Sequence, residues 1–353
     1  MRSSIALAGA AIAALSSALA CATSTKQFTT SGGVSYTYEY SPATDYNGTS
    51  KPTFLFFHGF PSTRRDWAPQ LAALEKAGFG VLAPDLLGFG ESDKPDPNNL
   101  SAYRWSVVSD HMAELLDAEG LGQVIGVGHD WGATAMARAY NYHPDRFSKL
   151  VFMSVGYVHP TGFIDIDAIN AQTLAATGLA QCGYWYFFNH FTATDLISNH
   201  LESFYSAVYA ANSTTQNRDV GHIGAARARL EANRTIPLAP WDTEAHKQDW
   251  LSQFSKPGAV APSLNPYRRA LTGTDVPDDN AVPEVNKLLN VPVTIIGGSL
   301  DTITPGAVMR VVTEPFAMRG LEEYQLQGGH WLGWENADEV NAILSKAGGD
   351  IAR

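Results

Sequence analysis

Only two cysteines, Cys21 and Cys182, occur in 353 residues, so no disulfide framework staples this chain and its stability must come from a buried core. Whether those two pair is left open by the sequence. No G-x-S-x-G element occurs, which excludes a serine hydrolase built on a nucleophile elbow. Histidines at metal spacing such as H-E-x-x-H are missing, and Gly88-Phe89-Gly90 does not extend to G-x-G-x-x-G, so neither a metal nor a dinucleotide cofactor is expected. Basic charge is scarce as well: 24 Lys and Arg against 35 Asp and Glu give a net charge of -11. That balance lacks the electrostatic footprint of a nucleic-acid binder and does not repel a small neutral substrate. Internal repeats and low-complexity tracts are absent too. What remains, 45% hydrophobic and 17% charged, is an ordinary globular composition able to bury a large core.

The one long apolar run is at the start. Arg2 precedes "IALAGAAIAALSSALA", and Ala18-Leu19-Ala20 supplies small residues for cleavage, so residues 1–20 are expected to be a secretory signal peptide. As an uncleaved anchor the run falls short of the roughly 20 residues that span a bilayer. A lipobox ending at Cys21 is a third reading, weakened by Ala18 where leucine is expected. An extracellular location follows, and with it four acceptor triplets for N-linked glycans, at Asn47, Asn99, Asn212 and Asn233.

Strand-like apolar runs alternate with helical stretches in the rest of the chain. "VSYTYEYS" alternates as an edge strand would; "PTFLFFHGF", "FGVLAPDLL", "QVIGVGHD", "KLVFMSV", "VPVTIIGG" and "LEEYQLQGG" read as strands of a mostly parallel sheet. Helices are expected at "DWAPQLAALEKAG" and "AYRWSVVSDHMAELLDAEG", each closed by glycine. The fold class is therefore α/β, a twisted sheet flanked by helices. Residues 158–285 are rich in aromatics and helical stretches but poor in strands, so they are expected to form an inserted helical cap. The core then comprises residues 21–157 and 286–353.

Loops at the carboxyl ends of such strands converge on one crevice, and here they carry His58-Gly59-Phe60-Pro61, Asp130, Asp301 and His330. The central motif is "GHDWGA": a small-x-nucleophile-x-small turn with a carboxylate, Asp130, at its tip. A helix-capping aspartate is the plainer reading of that residue. A carboxylate is ionised at neutral pH and can attack a saturated carbon without a base to activate it. Aspartate, aspartate, histidine is also the nucleophile-acid-histidine chain order of an α/β hydrolase.

From "FLFFHGFP" through "PDLLGFGESDKP", "GHDWGA" and "GGSLD" to "GGHW", the chain resembles α/β-hydrolase-fold epoxide hydrolases. The resemblance implies Asp130 as nucleophile, His330 as the base that activates water and Asp301 as its charge partner, with Asp85 a weaker alternative. Backbone N–H groups of Phe60 and Trp131 are then the oxyanion donors, and Phe60, Trp131 and Trp185 are read as pocket side chains. It also implies two cap tyrosines that donate to the epoxide oxygen, Tyr184 in "GYWYFF" and Tyr267 in "NPYRRA", with Tyr186 a rival to the first. His58 and His129 are read as structural neighbours, and a cis bond before Pro61 is left open. The expected substrates are an apolar epoxide and water. Two alternatives are carried: a haloalkane dehalogenase with the same nucleophile, which usually has a polar residue where Phe60 stands, and a non-catalytic binding protein on the same fold.

Overall fold

The computed structural model describes residues 23–46, 49–160 and 162–349. The expected signal peptide, Cys21 and Asn47 lie outside the described residues. Eight strands form one sheet: β1 (Ser24–Thr29), β2 (Ser35–Ser41), β3 (Thr53–Phe57), β4 (Gly80–Pro84), β5 (Val124–His129), β6 (Phe147–Met153), β7 (Val293–Gly298) and β8 (Leu321–Leu326). Their spatial order is β1-β2-β4-β3-β5-β6-β7-β8. From β4 to β8 all neighbours pair in parallel, whereas β1 and β2 run antiparallel at one side. The central strands are buried along their whole length, which is why they read as unbroken apolar runs rather than as alternation.

One expectation is corrected here. The stretch read as an edge strand, β2, is covered by β1, with Ser24–Thr29 pairing against Ser35–Tyr40. "STKQFT" escaped notice because most of it is exposed and polar, so no buried face imposes a hydrophobic period.

Helix α1 (Ala68–Lys76) packs on one face of the sheet, with the C-terminal helix Ala337–Gly349 beside it. Helices α2 (Trp105–Ala118) and α3 (Trp131–Tyr142) pack against each other, and α3 lies on β3 and β5. Two core clusters result. One, under α1, contains Phe54, Phe56, Trp67 and Leu344; the larger continues through α2 and α3 into the aromatics of residues 184–267. Among the described residues between the end of β6 and the start of β7 the regular elements are all helical, from Ile166–Thr177 through Val276–Ala281 to the turn Glu284–Lys287. Among the described residues no helix is long and apolar enough to cross a membrane.

Candidate active site

Strand β5 ends in a turn that leaves no room for a side chain two positions before or after Asp130, at Gly128 and Gly132. Asp130 itself holds a left-handed φ of 54° between β5 and α3. A Cβ on Gly132 would stand 2.0 Å from the Phe57 carbonyl oxygen, so only glycine fits there. Such strain in a non-glycine residue persists only where surrounding packing enforces it. The Asp130 side chain makes no capping hydrogen bond to α3, which removes the helix-cap reading. Instead its Oδ1 accepts from the Phe60 N–H at 2.9 Å. Gly59 makes that approach possible, since a Cβ there would come within 2.5 Å of the same oxygen. The Phe60–Pro61 bond is cis. Trp131 opens α3 directly after the aspartate, but among the described residues its N–H forms no hydrogen bond to the carboxylate.

His330 faces the other oxygen. Its Nε2 lies 3.6 Å from Asp130 Oδ2, and its Nδ1 donates to Asp301 Oδ2 at 2.8 Å. Asp301 is fixed in turn by the N–H groups of Ile303 and Thr304 on Oδ1, at 2.8 and 3.0 Å, and by the Thr304 hydroxyl on Oδ2 at 2.8 Å. The His330 carbonyl accepts from His129 Nε2 at 2.8 Å and from the Ser154 hydroxyl at 2.9 Å, which pins the loop carrying it. Thr304 and Ser154 were not singled out from the sequence. An Asp followed by Thr three residues later in "SLDTITP" is the turn signal that points to the first; nothing local marks the second.

Electrostatics follow from this geometry. Burial disfavours a charged imidazole, yet Asp301 and Asp130 outweigh it and push His330 up to about 10. Burial likewise opposes ionisation of Asp130, but the hydrogen bond and charge of His330 hold it below the usual carboxylate range. Asp301 is held low against burial by His330 and its own donors. His129 is pushed down to about 4, by burial and then by the charge on His330, so it is a neutral spacer.

The remaining residues sort by position. His58 is buried, accepts the Leu86 N–H on Nε2 at 2.9 Å and donates from Nδ1 to the Gly59 carbonyl, so it braces the loop. Asp85, the alternative to Asp301, is occupied elsewhere: it accepts from the Arg64 N–H and guanidinium and from the Glu91 N–H. Over the carboxylate lies a narrow cavity lined by Phe60, Asp130, His330, Tyr184 and Tyr267, with Phe188, Val208, Gln216, Val220 and Ile303 among the other walls. The tyrosine rings stand 5.7 Å apart. Burial raises both hydroxyls well above their ordinary pKa, so both stay protonated. Tyr186 points outward and bonds Asp167, which separates it from Tyr184. Trp131 and Trp185 are a correction to the pocket reading. Both stand behind the lining, their rings 5.2 and 5.4 Å from Tyr267, because the cavity wall at that side is the tyrosine itself.

A buried strand-to-helix elbow carrying a carboxylate, with a second carboxylate and a histidine delivered by later strands, is an α/β-type arrangement, and the chain belongs to the family of the alpha/beta hydrolase fold, whose model matches residues 52–337. It is similar to bifunctional epoxide hydrolase 2 of Mus musculus, 26% identical over 306 residues, which cover 84% of this chain. They make up 51% of the mouse protein, so the chain spans about half the length of that relative. Epoxide hydrolase A of Mycobacterium tuberculosis is 24% identical over 316 residues, 83% of this chain and 89% of that protein. Among solved structures, an epoxide hydrolase from an endophytic Streptomyces superposes with a TM-score of 0.73 at 25% identity, covering 92% of this chain and 94% of its own.

Proposed function

We propose that this protein hydrolyses an apolar epoxide to a vicinal diol through an alkyl ester on Asp130. The observation that carries the reading is the division of labour between the two carboxylate oxygens: Oδ1 is held by the Phe60 N–H and Oδ2 lies 3.6 Å from His330 Nε2, while the same cavity is lined by two protonated tyrosines. Oδ2 attacks a ring carbon, the C–O bond opens, and Tyr184 and Tyr267 supply the hydrogen bonds and proton for the departing oxygen. Ester formation removes the negative charge beside Nε2. His330 then loses one of the two carboxylates that favour its charged form, releases a proton that balances the one gained by the alkoxide, and becomes the base for water. Water attacks Cγ, the oxyanion forms on Oδ1 against the Phe60 N–H, and collapse frees the diol.

A haloalkane substrate fits less well. Phe60 offers no side-chain donor to a halide, and the Trp131 ring stands behind Tyr267 rather than on the cavity wall. The mouse, mycobacterial and Streptomyces relatives, all epoxide hydrolases by name, support the same choice.

Single-turnover hydrolysis of styrene oxide in heavy-oxygen water tests the route. Label must enter the Asp130 peptide while the first diol carries unlabelled oxygen; label in the first diol would mean direct attack by water. A haloalkane run in parallel, releasing halide where the epoxide is left unchanged, would reassign the activity.

Export and glycosylation belong to the same reading. The n-region and cleavage pattern of residues 1–20 support secretion, and Asn99, Asn212 and Asn233 are exposed, as a glycan site requires. N-terminal sequencing of the secreted protein and a mass shift on deglycosylation check both; a mature protein that retains Met1 and shows no shift refutes them.

A further inference from the structure

A second histidine, outside the cavity lining, is also set between two carboxylates. His246 Nδ1 lies 2.7 Å from Asp242 Oδ1 and its Nε2 lies 3.1 Å from Asp66 Oδ1. Carboxylate oxygens only accept, so both ring nitrogens must donate, which an imidazole does only when protonated. Asp242 and His246 belong to the cap, at the start of the helix Glu244–Phe254; Asp66 belongs to the core, in the short turn Arg64–Trp67 that follows the oxyanion loop. Every element around the ring contributes a named group. Tyr205 donates to Asp242 at 2.6 Å, and Tyr209 places its hydroxyl 3.0 Å from Asp66 Oδ2. Trp334 stacks on the ring at 4.3 Å. Arg65 and Asp249, across the neighbouring groove, pair with each other.

This cluster reaches the active site through Pro61. The Pro61 carbonyl accepts from Trp250 Nε1 at 2.6 Å, on the His246 helix, and lies 3.3 Å from the Tyr209 hydroxyl. Phe60, the donor to Asp130, is its immediate neighbour. On the other side Tyr209 stacks at 4.3 Å on Trp331, the residue after the catalytic histidine.

We propose that His246 is a positioning residue: clamped as an imidazolium between Asp66 of the core and Asp242 of the cap, it locks the cap onto the loop that carries the oxyanion donor. The consequence rests on the ester mechanism above. Loosening the clamp shifts the Phe60 N–H away from Oδ1 and slows hydrolysis of the alkyl-enzyme, where charge builds on that oxygen, more than it slows alkylation. Burial opposes the charge on His246, but Asp242 and Asp66 raise it to about 9, so the clamp opens as pH rises through that value.

The test is single-turnover mass spectrometry with styrene oxide on wild type and His246→Gln. The variant is expected to alkylate at near the wild-type rate and to lose the adduct roughly 10- to 100-fold more slowly, the scale of a displaced catalytic group. Wild-type hydrolysis of the alkyl-enzyme should fall above about pH 9, a fall that His246→Gln should lack. Wild-type decay of the adduct in the variant, or an unchanged pH profile, overturns the proposal. Should His246→Gln not fold, Tyr209→Phe carries the same test with a smaller delay expected, and an unchanged decay in that folded variant is equally fatal. If wild type forms neither diol nor adduct, the fault lies with the epoxide reading. The clamp is then judged by NMR of labelled histidine: a charged His246 at pH 8 supports it, a neutral one refutes it.

Discussion

His330 and His246 are held in the same way by different parts of the molecule, one between Asp301 at 2.8 Å and Asp130 at 3.6 Å, the other between Asp242 at 2.7 Å and Asp66 at 3.1 Å. Both are buried, and in both the carboxylates overcome burial to favour the charged ring. At His246 both nitrogens are within hydrogen-bond reach of their acceptors and the ring is stacked, so no reacting atom has a place. At His330 one side is completed and the other stops short, facing an aspartate on a strained backbone at the floor of a cavity. The residue types are shared; the unfinished contact is what separates a reactive cluster from a structural one.

Breaking the reactive cluster should have the largest effect. Asp130→Ala is expected to lower turnover by about 10⁴-fold or more, as loss of a nucleophile does, with the charged state of His246 unchanged in histidine NMR. His330→Gln should stop at the ester, so intact mass after mixing with epoxide should show one added substrate mass. A variant of His330 that turns over without accumulating that adduct would remove the histidine from the mechanism.

The two clusters also differ in how far the sequence announces them. Asp130 and Asp301 follow buried apolar strands, His330 follows the half-buried strand "LEEYQL", and the order of three loops is enough to bring them together. Tyr267 and Tyr184 were reached only through resemblance, because a tyrosine in an aromatic cap carries no local mark. The geometry that separates Tyr184 from Tyr186 is helical: one faces the cavity and its neighbour two positions on faces Asp167 at the surface. Trp185 was misread for the same reason, since linear proximity to Tyr184 says nothing about which ring forms the wall. His246 was not singled out at all. Its partners lie 180 residues away and 4 residues away, and only folding makes the distant one a neighbour.

The tyrosines come next in magnitude. Tyr184→Phe and Tyr267→Phe should each slow alkylation by roughly 10- to 100-fold, and the double variant should leave the enzyme unalkylated on the same timescale. Unaltered alkylation in both single variants would mean that the epoxide oxygen is protonated from elsewhere, and the cavity assignment would fall with it.

Stability against pH is a smaller effect and reports on both histidines together. Each has a folded-state pKa above its unfolded value of 6.5. Each therefore contributes stability in full below pH 6.5, and that contribution is lost as pH rises to about 9 for His246 and about 10 for His330. Calorimetry should show the melting temperature declining across that window. His246→Gln should flatten its lower part, and Asp130→Ala, which withdraws a carboxylate from His330, should shorten its upper part. A melting temperature that rises between pH 7 and 10 would contradict the charged state assigned to both rings.

The smallest effect concerns a contact with a counterpart at His246, where the Tyr205 hydroxyl lies 2.6 Å from Asp242 Oδ2 and 3.0 Å from Nδ1. Thr304 donates to Asp301 Oδ2 at 2.8 Å and lies 3.1 Å from His330 Nδ1, so its hydroxyl holds the carboxylate in line with the imidazole. Removing it leaves Asp301 with three other donors: the Ile303 and Thr304 amides and His330 itself. Asp301 should then stay ionised and in place but be oriented less tightly. Thr304→Val, nearly equal in size, is expected to slow hydrolysis of the alkyl-enzyme by about 3- to 10-fold, the scale of one ordinary hydrogen bond, and to leave alkylation unaltered. Equal slowing of both steps would indicate that the hydroxyl supports the loop as a whole rather than the histidine it faces.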